Sequence, residues 1–165
     1  MRELNIEEIN DNVFKKIGKE WMLVGAKNGS KANAMTASWG GLGVMWGKNV
    51  AFVFIRQTRY TKGLVDASGK LSLSFFDEKY KPMLGYMGKA SGKDEDKIAN
   101  AELNMVEGYD LPVFEEAAMT LICKCLYSQK MNAESFLDKT CIDKWYGDNN
   151  YHTMYVVEIE KVLGK

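Results

Sequence analysis

The chain has 165 residues, 46% of them hydrophobic and 27% charged, the composition of one ordinary globular domain covering residues 1–165. Twenty-two basic residues balance 22 acidic ones, so no net field recruits nucleic acid or an anionic membrane surface. Three cysteines without framework spacing exclude a disulfide scaffold, and two prolines exclude a long Pro-rich linker.

The first residues, Met1-Arg-Glu-Leu-Asn-Ile-Glu-Glu, are polar where a secretory leader needs an apolar core. The longest apolar runs, such as Val50 to Ile55, are far too short to cross a bilayer, so a cytoplasmic location is expected. Ile6, Ile9, Val13, Phe14 and Ile17 recur at helical spacing, which predicts a short helix ended by Gly18. Trp21 to Ala26 reads as a buried strand closed by a turn at Asn28-Gly29. Two extended segments follow, Ala34 to Trp39 and Val50 to Ile55, with a glycine-rich connection between them. Thr58 is expected to cap a helix that runs to Ala67 and ends at Ser68-Gly69.

Lys70 to Phe76 alternates as a half-buried strand should, with Leu71, Leu73 and Phe75 on one face. Short helices are expected over Lys79 to Met87 and Asp94 to Ala99, long strands over Ala117 to Met131 and Tyr151 to Leu163, and a helix over Ala133 to Thr140. Six or so strands with short connections favour a mainly antiparallel sheet with α decorations. A small barrel, which closes its edges and leaves a cleft at its rim, fits better than a doubly wound sheet.

Met35-Thr-Ala-Ser-Trp39 places Met35, Ala37 and Trp39 on one strand face and the hydroxyls of Thr36 and Ser38 on the other. Those hydroxyls face either water or a ligand. Gly40-Gly-Leu-Gly43 lacks the following Lys-Ser/Thr of a P-loop, which leaves a turn or bulge, or a close approach by a ligand. Arg56-Gln-Thr-Arg-Tyr60 follows the next strand, where two arginines either pair with surface carboxylates or meet an anion at the strand-to-helix junction. Ser91-Gly-Lys93 by itself is a solvent loop; beside the arginines it would complete a phosphate clamp.

The single histidine, His152, cannot build a zinc site, and is either a turn or surface residue or a hydrogen-bond donor to a ligand. Cys123 and Cys125 lie in an apolar run and read as core. No nucleophile–base signature is present, so no catalytic side chain and no metal ligand is assigned, the pattern of a protein that orients a cofactor.

The segments Asn33-Ala-Met-Thr-Ala-Ser-Trp39, Ala51 to Arg56, Arg59-Tyr-Thr61, Leu71 to Phe76, Leu84 to Asp94, Glu134 to Asp138, Lys144-Trp-Tyr-Gly-Asp148 and Tyr151 to Tyr155 occur in order along nearly the whole chain. Together they resemble the flavin reductase-like, FMN-binding split-barrel family, and within it the flavoredoxin-type branch. The resemblance implies a mainly β split barrel that forms a homodimer with one FMN per subunit near the interface. It implies that Thr36, Ala37, Ser38 and Trp39, with Met35 beside them, line the ring and ribityl chain. Arg56, Thr58, Arg59 and Tyr60 would surround the phosphate, Ser91, Gly92 and Lys93 would close over it, and His152 would lie near the ring. The Gly40-Gly41 region would leave a face open for a nicotinamide. Three roles follow: an NAD(P)H-dependent reductase, an FMN electron carrier reduced by a protein partner, or a non-redox binding barrel.

Overall fold

The computed structural model describes residues Met1–Lys165. In chain order the elements are β1 (Arg2–Leu4), α1 (Val13–Lys15), β2 (Met22–Asn28), β3 (Lys31–Ala37), β4 (Gly40–Met45), β5 (Lys48–Arg56) and α2 (Tyr60–Ser68). After them come β6 (Lys70–Phe75), α3 (Lys81–Lys89), α4 (Lys97–Asn100), β7 (Met119–Lys130), α5 (Thr140–Trp145) and β8 (His152–Gly164). The strands form one antiparallel sheet in the order β3-β2-β6-β7-β8-β5-β4, with β1 also paired to β8. None of the helices is long and apolar enough to cross a membrane.

The two ends of that order, β3 and β4, are consecutive in the chain and joined only by Ser38 and Trp39. Three peptide steps reach at most about 11 Å, so the sheet must curl until its edges nearly meet. No ladder joins β3 to β4, however, and the sheet is not closed. The expected barrel is therefore split along a seam, and the Ser38-Trp39 connection crosses it.

Two hairpins frame the seam. In β2–β3, Asn28 pairs with Lys31 around a turn where Gly29 takes φ 60°. In β4–β5, Met45 pairs with Lys48 around Trp46 (φ 53°) and Gly47 (φ 67°), the doubly left-handed turn that matches strand twist. The glycine-rich stretch expected as a turn or bulge is thus strand β4 itself. Its small residues let the Phe52 ring lie against the strand: a Cβ at Gly41 or Gly43 would stand 3.8 or 3.7 Å from it.

The main core fills the curl with Met22, Val24, Met35, Val53, Ile55, Leu73, Phe75, Leu121 and Tyr155 among its side chains. A second cluster, including Leu23, Ala34, Leu84, Met87, Ile98 and Phe114, lies outside β2 and β3 beneath α3 and α4. Strand β6 is consequently buried on both faces rather than one, its Ser72 and Ser74 hydroxyls satisfied by Pro112 O at 2.6 Å and Thr120 Oγ1 at 3.0 Å. Alternation described the composition of that strand, but not its surroundings.

Other boundaries also moved. The helix expected over Ile6 to Ile17 is broken into a 3-10 turn at Ile6–Glu8, α1 and a π turn at Lys16–Glu20, because Asn5 and Asn12 each cap a separate short segment. Only Ile17 of its apolar set is buried, and Phe14 is 90% exposed. Arg59, not Thr58, holds the N-cap of α2, without a side-chain capping bond. The expected 133–140 helix is a 3-10 turn at Ala133–Ser135, and the true helix, α5, starts at Thr140.

Candidate functional site

A cleft of about 320 Å³ opens at the seam. Its lining includes Met35, Thr36 and Ala37 from the end of β3, Ser38 and Trp39 from the seam connection, and Phe54 and Arg56 from β5. Arg59 at the start of α2, Trp145 at the end of α5 and His152 at the start of β8 complete it. Strand register explains the convergence, since Arg56 pairs directly with His152 where β5 and β8 meet. Met35 and Ala37 also join the core, whereas the Thr36 hydroxyl points the other way and donates to Leu84 O of α3 at 2.6 Å. The cleft is aromatic on one side: the Trp39 ring meets Trp145 edge-on at 5.0 Å and tilts against His152 at 5.0 Å.

The two arginines do different work. Arg56 donates to the carbonyls of Asn150 at 2.9 Å and Trp145 at 3.0 Å, lies 3.7 Å from Asp148 and stands 5.3 Å over the Tyr146 ring. It fastens the 145–150 segment to β5. Arg59 donates only to Gly88 O at 2.9 Å, and no carboxylate lies within 4.0 Å of it. Burial without a counter-charge lowers its pKa from the usual value.

Beside it is a second cation. Lys97 of α4 is 2% exposed, donates to Met87 O at 2.8 Å and Ala90 O at 3.1 Å, and also has no carboxylate within 4.0 Å. Burial, then the charge of Arg59, push its pKa down to about 8. Arg59 and Lys97 thus both bind carbonyls at the C-terminal end of α3. That end carries about half a negative charge, against two positive ones. The excess is a standing attraction for an anion at the Arg59 side of the cleft.

His152 is buried, and its Nδ1 lies 2.7 Å from the Tyr146 hydroxyl. Burial first, and then the Arg56 charge, hold its pKa down at about 4, so the ring is neutral at neutral pH.

Of the residues singled out in the sequence, Met35, Thr36, Ala37, Ser38, Trp39, Arg56, Arg59 and His152 are brought together. Thr58 is exposed at the edge, where its hydroxyl accepts from Asn150 Nδ2 at 2.8 Å. Tyr60, Gly92 and Lys93 line a separate groove behind Asn33, in company with Asp94, Glu95 and Asp96. Ser91 lines neither, and its hydroxyl accepts from the Lys93 backbone N–H at 3.2 Å. The third arm of the expected clamp therefore stands apart from the arginines, next to three carboxylates that oppose an anion. Gly40 and Gly41 do not line the cleft either.

Phe54, Trp145, Tyr146 and Lys97 are not marked as site residues by the sequence. Trp145 and Tyr146 lie within the Lys144-Trp-Tyr-Gly-Asp148 segment that carries the family resemblance, the one signal available for them. Lys97 had none, since it follows Asp94-Glu-Asp96 and looks like part of a solvated charge run.

Comparison with known proteins agrees with this architecture. No curated protein matches the sequence. The fold is similar to an FMN-binding domain of a flavin reductases-like enzyme from Shewanella baltica OS155, with 15% identity over 98% of this chain and 75% of that one, TM-score 0.70. It is similar to the flavoredoxin of Desulfovibrio vulgaris (Miyazaki F), with 21% identity over 98% and 77% of the two chains, TM-score 0.69. It is also similar to the flavoredoxin of Methanosarcina acetivorans, with 22% identity over 98% and 76%, TM-score 0.68. At such identities these likenesses concern the fold. The family itself rests on the model for the flavin reductase like domain, which matches residues 14–164, nearly the whole split sheet and every residue of the cleft. The chain therefore belongs to the flavin reductase-like domain family.

Proposed function

We propose that the chain binds FMN in the seam cleft and acts as an NAD(P)H-dependent, flavin reductase-like oxidoreductase. The observation that carries the FMN reading is the half-buried Arg59, with no carboxylate within 4.0 Å, at one end of a cleft whose other end is aromatic; the buried Lys97 behind it, also without a carboxylate partner, adds to the positive charge there. A phosphate suits the cationic end through charge-assisted hydrogen bonds, and a flat ring suits Trp39 and the small residues Ala37 and Ser38. A cleft of about 320 Å³ lies at the lower bound for ligand pockets. The likeness to an FMN-binding domain of a flavin reductases-like enzyme from Shewanella baltica OS155 supports the same cofactor.

Bound flavin supplies hydride acceptance and onward electron transfer. The protein's part is to hold and orient. Arg59 anchors the phosphate, Trp39 and Met35 exclude water from the ring, and His152 donates a hydrogen bond to it. Arg56 keeps Trp145 and the 145–150 segment in place over the cleft.

A second reading, an FMN carrier reduced by a protein partner, is favoured by the likeness to two flavoredoxins. A homodimer belongs to the proposal as well, with the exposed Trp46 and Tyr127, ring centroids 6.3 Å apart, as apolar surface for a second copy. The deciding experiment is an anaerobic visible spectrum of the purified protein before and after NADPH or NADH. Rapid bleaching of a bound flavin supports the reductase, and bleaching by dithionite alone supports the carrier. Failure to take up FMN at all overturns both.

A further inference from the structure

The residue behind His152 is not explained by the cofactor reading. Tyr146, the C-cap of α5, is 4% exposed and its hydroxyl reaches into the protein rather than into the cleft. Its ring is held on several sides: stacked on Tyr151 at 4.8 Å, packed against Phe136 at 5.7 Å and covered by the Arg56 guanidinium at 5.3 Å. Two acceptors compete for its hydroxyl proton, Met131 Sδ at 3.8 Å and His152 Nδ1 at 2.7 Å. A thioether is a weak acceptor and an unprotonated imidazole nitrogen a strong one, which favours the arrangement in which the hydroxyl donates to Nδ1 over the one in which Nδ1–H donates to the hydroxyl and the hydroxyl to Met131. An imidazole that accepts at Nδ1 carries its own proton on Nε2. Nε2 has no protein partner, and Asn150 Oδ1 is the only fully buried side-chain polar atom lacking one, so Nε2 opens to the cleft.

We infer that Tyr146 is a positioning residue that fixes His152 in the Nε2–H form, so that the ring presents an uncharged N–H donor to the carbonyl and ring-nitrogen edge of a flavin in the cleft. The ligand half of this rests on the proposed function; the tautomer half does not. The groups facing the imidazole are consistent with a neutral donor. Arg56 lies opposite on β5, Arg59 shares the cleft, and Asp148 turns to Arg56 at 3.7 Å. Tyr146 contributes from α5, and no carboxylate stands within 4.0 Å of the ring. Burial and a positive neighbour both oppose protonation, so the donor stays uncharged across the physiological range. A neutral donor stabilises an acceptor edge without adding a full positive charge to a site that already holds Arg56 and Arg59.

His152 is the only histidine, so a long-range proton–nitrogen spectrum of the intact protein labelled with ¹⁵N-histidine contains one imidazole. The expected pattern is a protonated Nε2 and an unprotonated Nδ1, unchanged between pH 5.5 and 8. In Tyr146→Phe, which keeps the stacked ring, the nitrogens should move toward a mixture of the two tautomers and the titration midpoint should rise. A wild-type pattern with the proton on Nδ1 overturns the inference, as does a Tyr146→Phe spectrum identical to wild type. On adding FMN the Nε2–H resonance should shift, and a flavin that binds without moving it overturns the donor role. If no FMN is taken up, the ligand half falls with the cofactor reading, while the tautomer pattern still decides what Tyr146 does.

Discussion

Arg59→Ala and Arg56→Ala should separate in their effects on flavin affinity, although the two side chains look equivalent in the sequence. The Arg59 guanidinium faces the cleft and spends one N–H on Gly88 O at 2.9 Å, leaving its other donors free for a phosphate. Losing one charge-assisted contact costs about 1.5–3 kcal/mol, or about 10- to 150-fold in Kd. That loss should fall on FMN and spare riboflavin, which has no phosphate. Stability should change by less than about 1 kcal/mol, because the lost bond is offset by relief of repulsion with Lys97 and of the burial of an unpaired charge. Arg56 is a different case. Its two carbonyl bonds fasten the segment that carries Trp145 and Asn150, whereas its ion pair with Asp148, at 3.7 Å and 65% exposed on the carboxylate side, adds little. Arg56→Ala should therefore weaken FMN and riboflavin together and destabilise the fold by about 1–3 kcal/mol. Fluorescence titrations of both variants with both ligands, paired with urea unfolding, make the comparison. Equal losses of FMN and riboflavin in Arg59→Ala would refute the phosphate assignment, and a loss confined to FMN in Arg56→Ala would refute the fastening role.

Acid should destabilise the fold through His152. As pH falls from 6.5 toward about 4 the unfolded imidazole binds a proton that the folded one refuses. The penalty is absent above that window and complete below it, at about 3 kcal/mol. Urea unfolding at pH 7 and 4.5 should show this component in wild type and its absence in His152→Gln. Lys97 acts at the alkaline end: between about 8 and 10.5 the folded amine has released a proton that the unfolded one retains, so stability should rise with pH across that range. Lys97→Met should lose the rise, as followed by the same unfolding series. Gly92→Ala should destabilise by about 1–3 kcal/mol, because the new Cβ meets the buried side chain of Asn33, which is tied to Thr61 Oγ1 at 2.9 Å. Gly41→Ala, whose Cβ would stand 3.8 Å from the Phe52 ring, should shift the melting midpoint little.

Much of the fold was legible because strands and tight turns leave local marks. The runs at 21–26, 50–55, 70–76, 117–131 and 151–163 all appear as strands, within a few residues at each end. The errors cluster where local pattern and environment part. Gly40 to Gly43 carries the marks of a turn, yet it is paired residue by residue with Val53, Phe52, Ala51 and Val50, because small residues make room for the Phe52 ring. The apolar spacing from Ile6 to Ile17 marks a helix, but two asparagine caps interrupt it and Phe14 has nothing to pack on.

The sequence by itself determined the one-domain scale, the mainly antiparallel sheet, the run Met35 to Trp39 and the family resemblance, since each depends on residues close together in the chain. Only the tertiary structure decided which charges and which histidine meet at the cleft. Arg56, Arg59 and the neutral His152 come from three separate elements, with Lys97 of a fourth behind Arg59, and their grouping depends on strand order and on the curl that brings the β3–β4 seam together. It also decided that Lys93, which matches Lys97 in charge and lies four residues away, stands among carboxylates instead. Charge is a property of a residue, but whether that charge is buried, paired or left facing a cleft depends on the atoms the fold places around it.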